Sequence, residues 1–174
     1  DNLRIMRHEQ LNRMTTLSGL LHMGRYEEAI RYIQAQSEHA QELLDFISSR
    51  FSSPTLCGLL LGKAARAREK GVELSFDPAC RMDRTFTGLA EAELISIIGN
   101  LLYNAIEATQ RAPLPHAPVE VLITLSASEL IIEVADCGVG ITPAIRERIF
   151  ERGVTTKTRG DHGIGLYLIH SYVT

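Results

Sequence analysis

Two asparagines interrupt the apolar segment Leu94-Ile95-Ser96-Ile97-Ile98-Gly99-Asn100-Leu101-Leu102-Tyr103-Asn104-Ala105-Ile106. At about 100° per residue the segment has an apolar and a separate polar stripe, which predicts a helix over about residues 90–109. The apolar stripe is Leu94, Ile97, Leu101 and Ala105, and the polar stripe is Glu93, Asn100, Asn104 and Glu107. A buried carboxamide needs a partner or costs about 1–3 kcal/mol. The polar stripe is therefore either a solvated helix face or a site for a metal bound to phosphates, and this helix alone does not decide between them.

Two glycine-containing motifs follow this helix along the chain. The first, Asp136-Cys137-Gly138-Val139-Gly140, comes directly after a predicted strand. Its alternating glycines let the backbone approach a flat ligand, and its carboxylate can accept a hydrogen bond from an exocyclic amine such as that of adenine. The second, Gly160-Asp161-His162-Gly163-Ile164-Gly165, opens the last predicted helix, where free N–H groups form an anion site. Each motif alone also fits an ordinary turn, but their order after the asparagine helix favours a nucleotide site.

The first 52 residues carry two amphipathic helical patterns joined by a short connection at residues 24–26. Such a helical hairpin cannot enclose a core by itself, so we expect a homodimer that forms a four-helix bundle. Ser52-Ser53-Pro54 breaks the second pattern, since the residue before proline is pushed out of helical geometry. We therefore predict two domains, 1–52 and 55–174. The two apolar stripes are Leu3, Met6, Met14, Leu17 and Leu21, then Ile30, Ile33, Ala40, Leu44, Ile47 and Phe51.

Helices and strands alternate in the second domain. Two alternating runs separated by a polar turn predict an antiparallel hairpin. The fold class is therefore α+β, with the helical hairpin followed by an α/β sandwich. The predicted elements are a helix from Leu56 to about Glu69, a strand Val72–Phe76, strands Val119–Leu125 and Leu130–Ala135, a short helix Pro143–Phe150 and a last helix from Ile164.

Composition excludes several classes of partner. The net charge of −3, without clustered Lys and Arg, argues against binding to nucleic acid or to an anionic membrane surface. Three widely spaced cysteines without a C-x-x-C pair indicate a reducing compartment. No apolar run approaches the ~20 residues that a bilayer span needs. Because the sequence starts without methionine and stops in an apolar segment, we expect a fragment whose parent protein supplies any membrane contact.

Residues 56–174 resemble the ATP-binding domain shared by histidine kinases, gyrases, Hsp90 and MutL. The run Asn100-Leu101-Leu102-Tyr103-Asn104-Ala105 is similar to the asparagine box of the histidine kinases. In the gyrase form a glutamate stands four residues before the metal-binding asparagine, and here that position is Asn100. A glutamate would activate water, so its absence argues for phosphoryl transfer to protein and against plain hydrolysis.

The resemblance implies a role for each residue of the nucleotide site. Asn104 would bind Mg²⁺, Asp136 would pair with the adenine amine, and Gly138 and Gly140 would shape the adenine pocket. Gly163 and Gly165 would line the phosphates of ATP. We also predict that Asn100 and Glu107 contact the nucleotide. The segment 149–157 resembles the start of an ATP lid, in which Phe150 anchors the loop. Lys157 either reaches a phosphate or stays a solvated loop lysine.

His8 lies far from the apolar stripe of the first helix, so it should be exposed. The run Arg7-His8-Glu9-Gln10-Leu11-Asn12, continued by residues 17–21, resembles the phosphoacceptor helix of the citrate and C4-dicarboxylate sensor kinases. Their hairpin is similar to that of a sporulation phosphotransferase, and the match covers about residues 4–50. It implies that neutral His8 attacks the γ-phosphorus of ATP while Glu9 orients the ring or takes its proton. Asn12 would position water for dephosphorylation of a response regulator, the partner whose aspartate receives the phosphoryl group.

Two features depart from the family, and two rival functions are open. Cys137 stands where the family usually has Asn or another small polar residue. The family fold normally ends with two more strands after the helix in which this sequence stops, and if the protein itself lacks them, a sheet edge is exposed. A phosphotransferase or pseudokinase scaffold should have lost Asn104 or Asp136, and a gyrase-like ATPase would need a carboxylate at Asn100. We therefore predict the cytoplasmic kinase core of a bacterial sensor anchored in the inner membrane.

Overall fold

The computed structural model describes residues 11, 14–127, 129–151, 154 and 165–173. The chain divides into two compact units, residues 1–46 and 47–174. Ile47 and Phe51 are buried within the second unit, and the Ser52 N–H there donates to the Met82 carbonyl at 2.9 Å. The division therefore falls before Ser52-Ser53-Pro54, and the boundary predicted there stays a prediction.

In its described residues the first unit contains α1, over residues 14–22, and the start of α2, Tyr26–Arg50. Gly24 ends α1 in the left-handed conformation, with a φ of 70°. The Arg25 N–H donates to the Leu20 carbonyl at 2.9 Å and the Gly24 N–H to the Leu21 carbonyl at 3.1 Å, which closes the helix end in a Schellman motif. Several large apolar side chains of this unit are exposed, among them Leu11, Met14, Leu21, Met23, Tyr26, Ile30 and Leu44.

Helix α3, Pro54–Glu69, begins the main body of the second unit. The Ser53 hydroxyl caps it by accepting the Leu56 N–H at 3.1 Å, and Pro54 occupies the first turn, where its missing N–H costs nothing. Gly71, with a φ of 72°, ends the helix in a second Schellman motif, because the Val72 N–H donates to the Ala67 carbonyl at 2.9 Å.

A three-stranded sheet has the order β1-β2-β3. Its strands are β1, Leu74–Phe76, β2, Val119–Leu125, and β3, Leu130–Ala135. Strand β2 is parallel to β1 and antiparallel to β3, with Leu74 opposite Val119 and Glu120 opposite Ala135. The predicted strands β2 and β3 are confirmed to the residue. The predicted first strand is two residues too long, since Val72 closes α3 and does not pair.

Helix α4, Glu91–Gln110, contacts α3, β2, β3 and the last helix. Its buried side chains meet those of α3 and the inner face of β2, and the alternation along β2 leaves Glu120 exposed. The α+β class is confirmed. Fully buried core side chains include Leu56, Leu60, Ile98, Leu102, Val119, Val121 and Ile123.

Two further helices follow β3. Helix α5, Pro143–Arg146, is shorter than the predicted Pro143–Phe150 and buries none of its residues. Helix α6, Gly165–Val173, contacts α4. No helix in the described part of the chain is long and apolar enough to cross a membrane.

Candidate functional site

Helix α4 presents two rows of residues to different neighbours. Asn100, Asn104 and Ala108 are four residues apart, so they share one row of the helix. The neighbouring row begins with Gly99, which faces Leu59 of α3. The two ends of the first row lie beside Gly138 and Gly165.

Gly138 lies against the C-terminal end of this row. A Cβ built on Gly138 would be 2.6 Å from the Ala108 Cβ and 2.7 Å from the Ala108 carbonyl oxygen. That same carbonyl accepts the Val139 N–H at 3.3 Å. Only glycine therefore lets the strand-end loop approach the main chain of α4 this closely.

Gly165 lies against the N-terminal end of the row, at the start of α6. A Cβ built on Gly165 would be 2.6 Å from Asn100 Oδ1, 3.1 Å from its Cγ and 3.6 Å from its Cβ. Gly165 thus approaches the side chain of Asn100 and not the backbone of α4. Gly138 and Gly165, one glycine from each predicted motif, therefore lie at the two ends of a single row.

Asp136 follows directly on β3, and its side chain is held by its own loop. The Gly138 N–H donates to Asp136 Oδ1 at 2.9 Å. The Asp136 side chain is otherwise exposed, so one carboxylate oxygen is available to a ligand. Gly140, two residues after Gly138, has a φ of 71° and open space around it. Glycine is therefore favoured at this position by the left-handed backbone conformation and not by a close contact.

Three of the four predicted polar side chains of α4 have partners. The Glu93 carboxylate accepts the Ala90 N–H at 2.9 Å and so caps the start of the helix. Asn100 Nδ2 donates to the Ser96 carbonyl at 2.8 Å. Glu107 pairs with Lys70. Asn104 is half-buried, and within the described residues its carboxamide makes no hydrogen bond.

The Glu107 pair belongs to the row that faces α3. Lys70 Nζ lies 2.5 Å from Glu107 Oε1, and Arg111 lies 3.5 Å from Glu107 Oε2. On the same side, Lys63 Nζ is 5.6 Å from the centre of the Tyr103 ring. Burial and, to a smaller extent, the nearby positive charges of Arg66 and Lys70 lower the pKa of Lys63. Glu107 therefore already balances charge within the protein, and its predicted contact with the nucleotide stays a prediction.

The residue predicted to anchor the lid contacts α6. The centres of the Phe150 and His170 rings are 5.2 Å apart, with 30° between their planes. His8, Glu9, Asn12, Lys157 and Gly163 lie outside the described residues.

Sequence reasoning missed two residues of the site, Ser96 and Ala108. Ser96 supplies the carbonyl that holds Asn100, and Ala108 supplies the surface against which Gly138 packs. Both positions are four residues from an asparagine of the polar stripe. That spacing is the signal that could have identified them.

Two protein families match the chain. The family of histidine kinase-, DNA gyrase B- and HSP90-like ATPases matches residues 90–174. The alpha-helical domain of the SpoOB-type sensor kinases matches residues 1–48. The first match contains α4 with both glycine motifs, and the second contains His8, Glu9 and Asn12.

Curated relatives match over nearly the whole chain. Sensor histidine kinase CitA of Klebsiella pneumoniae is 52% identical over 99% of this chain. Sensor histidine kinase DpiB of Escherichia coli is 42% identical over 100% of the chain, and sensor histidine kinase DcuS of the same species is 32% identical over 99%. The chain spans 32% of the length of the first two relatives and 31% of the third.

Proposed function

We propose that this chain is the kinase core of a sensor histidine kinase, which binds Mg-ATP beside α4 and moves the γ-phosphate onto its own His8. The two family matches and the similarity to the sensor histidine kinases CitA and DpiB support this proposal. The observation that carries this proposal is the row Asn100, Asn104 and Ala108. Gly138 and Gly165 both lie against this row, and its middle residue has a carboxamide without a hydrogen bond within the described residues. A ligand is the natural partner for such a group, because an unpaired polar group in a half-buried site is costly.

The residues present fit Mg-ATP. Asp136 has one oxygen bonded to the Gly138 N–H and its other oxygen available for the adenine amine. Gly138 and Gly165 leave room where a Cβ would collide with α4, so the backbone can form a shallow cradle. We expect main-chain N–H groups at the start of α6 to bind phosphate.

The Asn104 carboxamide oxygen is a hard ligand of the kind that Mg²⁺ prefers. No group of three His, Cys, Asp or Glu side chains in the described ranges could hold a metal by itself. Mg²⁺ is commonly bound through one or two protein groups together with the phosphate oxygens of a substrate, and Asn104 would supply such a group here. When bound, Mg²⁺ would neutralise charge on the triphosphate.

Transfer to His8 completes the proposed reaction. A ring nitrogen of neutral His8 forms a bond to the γ-phosphorus as the bond to the β–γ bridging oxygen breaks, and ADP leaves. Glu9 orients the imidazole or takes its proton. Asn12 positions the water that removes the phosphoryl group from the response regulator. Lys157 and Gly163 would contact the phosphates. The phosphoryl group then passes to an aspartate of a response regulator.

Labelling with γ-³²P-ATP tests this function. We expect label on the chain that is labile in acid and stable in base, and we expect His8→Gln to remove it while ATP affinity is kept. Asp136→Asn is the matched control, because it should lose ATP affinity while keeping the acceptor. Uptake of acid-labile label by His8→Gln at the parent's rate would contradict the choice of acceptor. Phosphate release without label on the chain would instead favour an ATPase.

We also propose that the chain acts as a homodimer through the first unit. Its exposed apolar side chains, such as Met14 at 73% and Tyr26 at 63%, support a partner on that surface. A mixture of His8→Gln and Asp136→Asn chains tests the geometry, since label on the Asp136→Asn chain means transfer between subunits. A hairpin that stays monomeric in sedimentation at high concentration would contradict the dimer.

The location of the chain is a further part of the proposal. Its free cysteines, Cys57, Cys80 and Cys137, fit a reducing compartment, so we place it on the cytoplasmic side of a membrane-anchored sensor. Labelling of the parent protein in intact cells by an impermeant thiol reagent at Cys137 would contradict this placement, because Cys137 is exposed.

A further inference from the structure

Asn100 and Gly165 form a contact that neither the family match nor the predicted metal site explains. Asn100 Oδ1 lies 2.6 Å from the position that a Gly165 Cβ would occupy. Gly165 is the first residue of α6, and Asn100 is in the middle of α4. The carboxamide therefore occupies the space beside the helix start that a side chain would otherwise fill.

The Asn100 carboxamide is held in this orientation by Ser96, one turn earlier in α4. Its Nδ2 donates to the Ser96 carbonyl at 2.8 Å and lies 3.4 Å from the Ser96 hydroxyl. A side chain with its donor fixed to the helix cannot turn without losing a half-buried hydrogen bond. Its oxygen consequently presents a fixed surface to the first turn of α6.

We propose that Asn100 is a positioning residue, whose tethered carboxamide sets the distance between α4 and the first turn of α6. The inference rests on the proposed function, in which main-chain N–H groups of that turn bind phosphate. Asn100 then acts on the nucleotide through Gly165 and not through the metal. Asn104, one turn further along, keeps the metal role.

The geometry gives this role a steric signature. In Gly165→Ala the new methyl group would collide with Asn100 Oδ1, so the carboxamide must turn away from Ser96. In the double variant Asn100→Ala, Gly165→Ala the two Cβ atoms would be 3.6 Å apart, which is ordinary van der Waals contact. The second substitution should therefore repair the damage done by the first.

Dependence on the metal separates the positioning role from a metal-binding role. Loss of a residue that positions backbone donors should weaken ATP binding equally with Mg²⁺ and with a chelator. Loss of a metal ligand should weaken Mg-ATP binding and leave metal-free ATP binding unchanged. Asn100→Ala and Asn104→Ala, which remove the same group from neighbouring turns, are a matched pair for this comparison.

The test is calorimetric titration of ATP, with and without Mg²⁺, into the full chain and its variants. We expect Gly165→Ala to weaken binding about 10-fold or more, since a misplaced donor set loses much of its effect, and the double variant to return to within about threefold of Asn100→Ala. Asn100→Ala should lose the same factor in both buffers. Gly138→Ala combined with Asn100→Ala is the control, and no repair is expected because Gly138 meets the main chain of Ala108.

Either of two results would overturn the inference. One is a double variant whose loss equals the product of the two single losses, and the other is an Asn100→Ala loss that appears only with Mg²⁺. If Gly165→Ala fails to fold, thermal unfolding of the double variant replaces the titration. The inference requires the double variant to fold, and a double variant that also fails to fold contradicts the contact. If the parent chain does not bind ATP, the proposed function is wrong, and so is the role of Asn100 in phosphate binding. The thermal unfolding midpoints of the same variants, measured without nucleotide, still test whether Asn100 packs on Gly165.

Discussion

Gly138 and Gly165 both bring backbone close to α4, but they meet different surfaces of that helix. Gly138 meets the main chain of Ala108, which every sequence with this fold would present. Gly165 meets the side chain of Asn100, which one substitution can remove. The difference teaches that the proposed adenine end of the site is fixed by the fold, while the proposed phosphate end is fixed by a chosen side chain.

The local structure around each glycine fits this contrast. Asp136 follows directly on Ala135, which is paired with Glu120 in the β2–β3 ladder, so the loop starts from a rigid strand end. Its own hydrogen bonds, from Gly138 to Asp136 and from Val139 to Ala108, then fix the turn. At the other end, α6 is placed by side-chain contacts, including Phe150 with His170. We expect the phosphate end to adjust more readily.

The largest effect is expected from Asp136→Asn. The amide oxygen can still accept the Gly138 N–H, so the loop should keep its shape. The other oxygen becomes an NH₂ group, which faces the adenine amine donor to donor, and we expect ATP affinity to fall by about 10- to 100-fold. Calorimetric titration measures the affinity, and circular dichroism checks the fold. ATP binding equal to that of the parent would refute the adenine role.

The next largest effect is expected from Gly138→Ala, which tests the main-chain contact directly. The added methyl group would lie 2.7 Å from the Ala108 carbonyl oxygen, so the loop or the helix must move. We expect a loss of about 2 kcal/mol in the free energy of unfolding, within the range for overpacking. Urea unfolding measures it.

The result also bears on the comparison between the two glycines. Ala108→Gly removes the Cβ at 2.6 Å but leaves the carbonyl oxygen in place. It should therefore restore little of the stability lost in Gly138→Ala. Full restoration would show that this contact too depends on a side chain.

The sequence predicted the strands more closely than the contacts between helices. Alternation of apolar residues fixed β2 and β3 to the residue, because their register decides which face is buried. The short helix α5 was predicted too long, because it ends at Arg146. Phe150 remains 44% exposed and contacts His170 of α6, a contact between separate elements that the local sequence does not show.

The helical wheel placed Glu107 with the two asparagines because it gives the angle of each side chain around the helix axis. It does not show which residues of other elements lie next to that side chain. In the structure Lys70, at the end of α3, pairs with Glu107. A contact between elements distant in sequence, such as Asn100 with Gly165, has no local signal at all. The asparagine and glycine motifs could be recognised from the sequence, but which atom of α4 each glycine meets required the packed helices.

A smaller effect is expected from Gly140→Ala, which separates conformation from contact. Gly140 has a φ of 71° and open space around it, so the methyl group meets nothing. The cost should be the left-handed backbone alone, about 1 kcal/mol, and Gly140→Asn should cost less because asparagine tolerates this conformation. Urea unfolding of both variants checks the order. A loss as large as that of Gly138→Ala would mean that Gly140 also makes a close contact.

The smallest effect, and the only gain, is expected from Gly62→Ala on α3. Gly62 is an exposed residue in the helix interior, and a Cβ built on it meets nothing within 4 Å. Alanine loses less conformational freedom on folding than glycine, so the free energy of unfolding should rise by about 0.5–1 kcal/mol. The same glycine-to-alanine change thus costs stability against the α4 main chain, and adds stability in a helix interior where no atom is close and φ is negative. A loss of stability in Gly62→Ala, measured by urea unfolding, would show that steric contact does not govern these glycines.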